Sequence, residues 1–458
     1  MVRIGNVAQV HPSIADYTLD RQAQREGIST VQAMEAKMMN AQLVGCTCLS
    51  VNSHVLFAKR RFDFCIVDEA TQITQPIMIG ALRCADTFVL VGDHYQLPPL
   101  VANAQARKEG MDVSLFRRLA EAHSEASQQL SYQYRMNRDI MLLANRLVYG
   151  DKLKCGSFTV ASNHLQLEWQ QYRNNDQKMT AWPVRVLTNN QGVAFFDTDT
   201  MEGKIGESSG AGTHGGGDRR RMENVAEAQV IAGFVELLVL GAVPPTEIAV
   251  ISPFRSQVTL IQQQLTAIAA CRRAGGTEWL HAIEVSTIDK YQGKDKDVIL
   301  VSFVRCNEEK HVGELLTDWR RINVALTRAK QKLILVGSLS TLSGGSALFH
   351  VLYRVIQEQR WGYKLPRDAV EALRRFAISV AITHVEPDPE RNLAPEPRRR
   401  LKPEANSVKV SILERAPSVR NGDIESLVPS VSTIPVRPRQ GSRLPQMKPI
   451  TRDIFGDR

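Results

Sequence analysis

Short apolar runs that each stop at a polar turn set the tightest limit on how this chain can fold. FDFCIVD (62–68) and TFVLVGD (87–93) are apolar on both faces, as strands covered on both sides are. Between them TQPIMIGALRCAD (74–86) has the length of one helix. A strand, a helical crossover and a second strand make a parallel pair with a right-handed connection. TCLSV (47–51) reads as a further apolar strand. VQAMEAKMMNAQL (31–43) reads as a helix, with Val31, Met34, Met38 and Leu43 near helical spacing.

The alternation pauses over 156–222, where polar sequence, a strand-like QGVAFFDTD (191–199) and the glycines of 210–217 suggest a mobile loop. It then resumes. Helix ENVAEAQVIAGFVELLVLGA leads to strand EIAVISPF, helix RSQVTLIQQQLTAIAA, strands AIEVSTI and DVILVSFVR, helix RRINVALTRAK and strand QKLILVGS. ALFHVLYRVIQEQR reads as a last helix packing on this unit. The fold class is therefore α/β with two parallel sheets. From about residue 386 the character changes. Eleven of the 20 prolines fall there, with 14 Lys/Arg, 10 Asp/Glu and one aromatic residue. Such a segment buries too little apolar surface to offset its ordering entropy, so a disordered tail is expected. Its basic cluster EPRRRLK (396–402) fits a localisation signal or a solvated charge run.

Composition excludes some classes. No run of about 18 apolar residues exists, so no membrane partner is expected. MVRIGNVAQVHPS lacks the apolar core of a secretion signal. Seven scattered cysteines suit reduced thiols, and the C-x-C of Cys46 and Cys48 has no second pair at zinc spacing. A formal charge of +9 favours polyanionic partners only weakly.

The chemistry gathers at strand ends. In VDEA (67–70), Asp68 and Glu69 follow a strand, the arrangement in which an Asp helps hold Mg²⁺ and a Glu polarises water. Solvent exposure is the plainer reading of either carboxylate. LVGDHYQLPPLV (90–101) puts Gln96 on a proline-stiffened loop, where its amide could sense a phosphate. Arg135 in QLSYQYRMNRDI and Arg328 in RRINVALTRAK suit phosphate because the guanidinium fork stays charged and binds bidentately. STIDKYQGKDKDVILVS (286–302) adds Thr287, Gln292 and Gly293 in a loop between strands. Gly293 permits close backbone approach there.

The ordered series TCLSV, VDEAT, GDHYQLPP, QYRMN, SPFRSQ, STIDKYQGKDKD and NVALTRAK resembles the motif series of the superfamily 1 helicases of the Upf-like subfamily. Within it, GDHYQLPPLV and the stretch from DKYQGKDKD to LILVG are most similar to the eukaryotic DNA-replication ATP-dependent helicase/nucleases. The resemblance covers about residues 10–360. It implies two RecA-like domains, the first over 1–125 and incomplete, the second over 126–365, then a short helix and the tail over 366–458. It also implies ATP and Mg²⁺ as cofactors, single-stranded DNA and replication or repair proteins as partners, and the nucleus, with the mitochondrion as a second compartment.

Residue by residue, the resemblance gives Asp68 and Glu69 the Mg²⁺-binding and water-activating roles, and Gln96 that of γ-phosphate sensor. Arg135 and Arg328 become arginine fingers. Gln292, Gly293 and Asp295 line the nucleotide pocket. Thr47, Pro253, Arg255 and Thr287 lie on the strand-binding face. One element of the series is missing: the 458 residues contain no G-x-x-x-x-G-K-[ST]. In the resembled family that loop, the nuclease domain and its cysteine-ligated iron–sulfur cluster lie upstream. The expectation is therefore a C-terminal part of a longer protein, not ATPase-competent alone. Its first sheet would have an unpaired edge and uncovered faces. An RNA helicase of the same superfamily and a non-catalytic nucleic-acid-binding protein are the alternatives.

Overall fold

The computed structural model describes residues 1–5, 10–52, 55–167, 182–201, 208–210, 221–271 and 278–383. All of them belong to one compact unit, Met1–Pro387. The tail expected from 386, and residues 211–217 of the glycine run, lie outside the described residues.

The first parallel sheet pairs β1 (Phe62–Val67) with β2 (Ala85–Leu90), connected through helix α1 (Gln75–Leu82). Pro76 in the first turn of α1 has no amide to leave unpaired there. One face of the sheet is covered: Cys65, Val67 and Leu90 pack with Met78 and Leu82 of α1. Register puts Phe64 opposite Thr87 and Ile66 opposite Val89 on the other face. That face is open, with Phe64 66% and Ile66 71% exposed. Among the described residues no further strand joins either edge. Val2–Arg3 pairs instead with Val44–Gly45, over a separate small core of Val2, Ile4, Met38 and Ala41.

TCLSV is not a strand. Cys48–Val51 forms a helical turn behind Thr47, whose own backbone is extended. Spacing explains the difference. Cys48 and Val51, three apart, share a helical face toward the protein, while Leu49 is left exposed. In a strand, Leu49 and Val51 would have shared a face.

The second sheet is larger and covered on both sides. Its strands are β3 (Val193–Asp197), β4 (Ile248–Ser252), β5 (Glu284–Thr287), β6 (Lys296–Ser302), β7 (Ala329–Gly337) and β8 (Gly362–Lys364). The spatial order is β5-β4-β6-β7-β3-β8, every pair parallel. Alternate residues feed two cores. Phe196, Val250, Leu300 and Ile334 point to one, with α3 (Val225–Leu240), α4 (Arg255–Cys271) and α7 (Ala369–Thr383). Phe195, Ile251, Val301 and Leu335 point to the other, with α5 (Trp319–Leu326) and α6 (Ala347–Gln359). Helix α7 contributes Leu373, Ala377 and Val380 to the first of these cores.

Candidate nucleotide cleft and strand-binding edge

The two sheets meet edge to edge. Asp68 and Glu69 follow β1 directly, and Asp93 and Gln96 follow β2, so all four lie at the C-terminal edge of the first sheet. Asp295 and Arg328 immediately precede the registered pair Lys296 and Ala329, at the N-terminal edge of the second. Lys296 N donates to Arg328 O at 3.2 Å and ties the two loops together.

Glu69 adopts a left-handed backbone, φ 51° and ψ 38°, which turns the chain sharply off β1. Its amide donates to Asp68 Oδ1 at 3.0 Å. Its Oε2 accepts from Gln72 Nε2 at 3.0 Å and, across the cleft, from Gln292 Nε2 at 3.4 Å. Ala70 N donates to Val91 O at 2.9 Å. This brings the two strand-end loops so close that a Cβ on Gly92 would stand 3.1 Å from Thr71 Cγ2.

Gln96 Oε1 accepts from Arg328 Nη2 at 3.3 Å, a second bond across the cleft. Arg328 is only 2% exposed. It also donates through Nε to Val324 O at 3.0 Å and through Nη2 to Thr327 Oγ1 at 2.9 Å. Burial, and then the nearby Arg135, push its pKa down to about 10. Arg135 donates through Nε to Asp295 Oδ2 at 3.0 Å, and Lys330 reaches Asp295 Oδ1 at 2.9 Å. Burial alone would raise the Asp295 carboxyl, but Lys330 and Arg135 hold it below the usual range. Gly293 has φ 80°, a conformation that favours glycine. Gln292 Oε1 is buried with no partner among the described residues.

The structure therefore gathers Glu69, Gln96, Gln292 and Arg328 through direct contacts, with Asp68 beside Glu69 and the Arg135–Asp295 pair beside Arg328. The strand-face residues lie elsewhere. Ser252 and Thr287 are register partners at the C-terminal edge of the second sheet. Pro253 follows Ser252, and Arg255 opens α4. Thr47 stands apart on the first sheet's side, its Oγ1 2.8 Å from Ser50 Oγ.

Two further cleft residues, Asp93 and Tyr149, were not among the sequence-derived site residues. Asp93 accepts from Tyr95 N at 2.9 Å, Gln96 Nε2 at 3.1 Å and the Tyr149 hydroxyl at 2.7 Å. Asn323 Nδ2 donates to the Tyr149 oxygen and to Tyr95 O, each at 2.9 Å. Tyr149 thus ties the Gln96 loop to α5. Burial, then the Asp93 charge, push its phenol upward. The spacing of Asp93 three before Gln96 was a signal for the first residue. Tyr149, in NRLVYG, reads as one more apolar position.

Among the described residues no three His, Cys, Asp or Glu are grouped to hold a metal ion. No described helix is long and apolar enough to cross a membrane.

Residues 111–340, half of the chain, match a family model described as AAA domain, and residues 21–104 match a second AAA-domain model. The chain is similar to the DNA replication ATP-dependent helicase/nuclease of Xenopus laevis, 40% identical over 81% of this chain and 33% of that protein. It is 42% identical to the corresponding protein of Arabidopsis thaliana over 80% of this chain and 25% of that one. It therefore spans only a quarter to a third of the length of these relatives. A solved PRRSV helicase is similar at 13% identity and TM-score 0.29, over 74% of this chain and 54% of that one. On these matches the chain belongs to the Upf1-like superfamily 1 AAA-domain helicases, as a helicase region of the DNA replication ATP-dependent helicase/nuclease family.

Proposed function

We propose that this chain is the C-terminal part of an ATP-driven motor that steps 5′ to 3′ along single-stranded DNA in replication and repair, in the nucleus. The observation that carries the reading is the pair of bonds across the cleft, Arg328 to Gln96 and Gln292 to Glu69. They bring residues from widely separated motifs to one place between two parallel sheets.

The residues suit ATP and Mg²⁺. Asp68 is exposed, and its one described contact is the neighbouring amide. A carboxylate so placed can take one position in a shell otherwise filled by water and phosphate. Gln292 Oε1 is a buried acceptor without a donor among the described residues, and Arg328 and Arg135 are cations held in the same cleft. When bound, Mg²⁺ neutralises polyphosphate charge. Glu69 orients water and draws off its proton, Gln96 reports the terminal phosphate, and Arg328 and Arg135 stabilise the charge that develops. Asp295 keeps Arg135 aimed into the cleft. Thr287, Pro253 and Arg255, with Thr47, hold the strand by its phosphates and sugars, so little sequence preference is expected.

The chain alone is a nucleic-acid binder that does not turn over ATP, because none of its 458 residues supplies the phosphate-cradling lysine motif. The test is two-sided. This chain should release no more phosphate than its Asp68→Ala variant. Joined to a segment bearing G-x-x-x-x-G-K-[ST], it should hydrolyse ATP when given single-stranded DNA. There Arg328→Ala should cut the rate by roughly 10³ or more while DNA affinity holds, and Arg328→Lys should rescue poorly. Full activity of Arg328→Lys, or stronger stimulation by RNA than by DNA, would overturn the assignment.

A further inference from the structure

We infer that Trp319 and Arg320, with His94 and Phe116 facing them across the seam between the two sheets, form a base-stacking subsite for single-stranded nucleic acid. The inference rests on the nucleic-acid reading above and supplies residues that reading lacks.

Placement comes first. Helix α5 runs from the C-terminal edge of the second sheet back to its N-terminal edge, where Thr327 and Arg328 lead into β7. Trp319 and Arg320, in its first turn, therefore lie toward the edge that carries Thr287 and Pro253. Arg321 fixes them there, donating through Nε to Asp289 Oδ1 at 2.7 Å, two residues past Thr287. Across the seam Arg320 Nε donates to His94 O at 3.4 Å. Trp319 and Tyr95 have ring centroids 5.9 Å apart. The His94 ring lies 4.2 Å from that of Tyr95 and 6.4 Å from that of Phe116.

The chemistry comes second. The Arg320 guanidinium lies over the Trp319 ring, 4.5 Å from its centroid. Both side chains, and those of His94 and Phe116, are half-buried, so each keeps part of its surface toward solvent. The neighbouring Arg321 is paired with Asp289 and with Asp318. Arg320 is different: its terminal nitrogens make no hydrogen bond or ion pair among the described residues, and Arg117 is close enough to repel it. Burial and that repulsion lower its affinity for its own proton. Asp318, Asp112 and Glu121 lie in its field and partly offset Arg117, but among the described residues none of them pairs with its terminal nitrogens, which stay open to a phosphate. The Trp319 ring, with Arg320 on it and Tyr95 beside it, is only half-buried and keeps surface on which a base can stack. A nucleotide within a single strand supplies both, phosphate and base.

The test uses the full chain and two fluorescent oligonucleotides of equal length, oligo-dT and a fully abasic strand, with anisotropy read over a salt series. Trp319→Leu keeps apolar bulk against Tyr95 but has no π-face. It should weaken oligo-dT about tenfold, the lower range of base–aromatic stacking, and leave the abasic strand within about twofold. Trp319→Phe should stay near wild type. Arg320→Ala should weaken both strands and reduce the slope of log K against log salt by about 0.7, the loss of one phosphate contact on a single strand. Melting temperatures of all variants serve as the fold control. If Trp319→Leu weakens both strands equally, or neither, or if Trp319→Phe fails as badly as Trp319→Leu, the stacking subsite is wrong while nucleic-acid binding stands. If the wild-type chain binds neither strand, both readings fall.

Discussion

Glu227 offers a direct test of how the second sheet is held. Its carboxylate is fully buried beneath the end of β6, where Ser302 Oγ donates to it at 2.6 Å and Val304 N at 2.8 Å. Burial pushes its pKa up from an ordinary 4.5 to about 8, against the pull of those donors. A group whose folded value is raised gives its full stability below the unfolded value. That contribution is lost as pH climbs through the folded one. The window therefore runs from 4.5 to about 8. At about 1.4 kcal/mol per pH unit, the loss is roughly 5 kcal/mol over the whole window and roughly 3 by neutrality. Glu227→Gln removes the titration and keeps the shape. Urea unfolding of both proteins in parallel, from about pH 4 to about pH 9, cancels the other titrating groups in the difference. Wild-type minus variant stability should be level at the acid end and then fall at about 1.4 kcal/mol per unit. A difference that stays level to the alkaline end would mean that Ser302 and Val304 keep the carboxylate ionised throughout, and the reasoning would be wrong.

Tyr149→Phe removes a hydroxyl that donates to a carboxylate, and should cost roughly 2 kcal/mol. Deuterium uptake should rise over residues 93–97 and not over β3; unchanged protection at 93–97 would show that Tyr149 does not tether that loop. Gly156→Ala would place a Cβ 2.2 Å from Tyr134 Cε1, so it should cost about 1–3 kcal/mol. Removing the ring as well, by Tyr134→Ala, should recover most of that loss, and thermal melts that show no recovery would argue against the clash. Phe196→Ala deletes a ring with no exposed surface, centred 4.3 Å from Phe234, and should cost about 3–5 kcal/mol in denaturant unfolding. A cost under about 1 kcal/mol would mean that the core under α3 closes up freely.

The central strands of the second sheet were legible because their apolar residues fill both faces, and Ile248–Ser252 and Lys296–Ser302 needed no partner to be recognised, whereas the short edge strand Gly362–Lys364 carried no such run. TCLSV failed as a strand because so short a run carries too little periodicity to separate a strand from one helical turn. In the cleft, Gln96 and Arg328 are 232 positions apart, and no local pattern joins them; only motif order did. Tyr149 was invisible for another reason. It closes a π-helical stretch, Asn145–Tyr149, that aims its hydroxyl at Asp93, 56 positions earlier. The i→i+5 bonding of such a turn inserts an extra residue and breaks the spacing by which helical faces are read. Trp319 is similar: its ring has meaning only beside Tyr95, which comes from the other sheet.

The uncovered face of β1 and β2 makes the first sheet's stability a matter of mass action. Whatever apolar surface settles on Phe64, Ile66 and Val89 binds the folded sheet and not the unfolded chain, and so acts as its ligand. Stability then grows with the logarithm of that cover's concentration, by about 2.7 kcal/mol at a hundredfold excess over its dissociation constant. When the cover is tethered in the same molecule, its concentration is fixed by the tether, and the sheet's melting temperature is independent of dilution. When it is supplied from outside, the melting temperature falls as the sample is diluted, while the doubly covered second sheet melts at one temperature throughout.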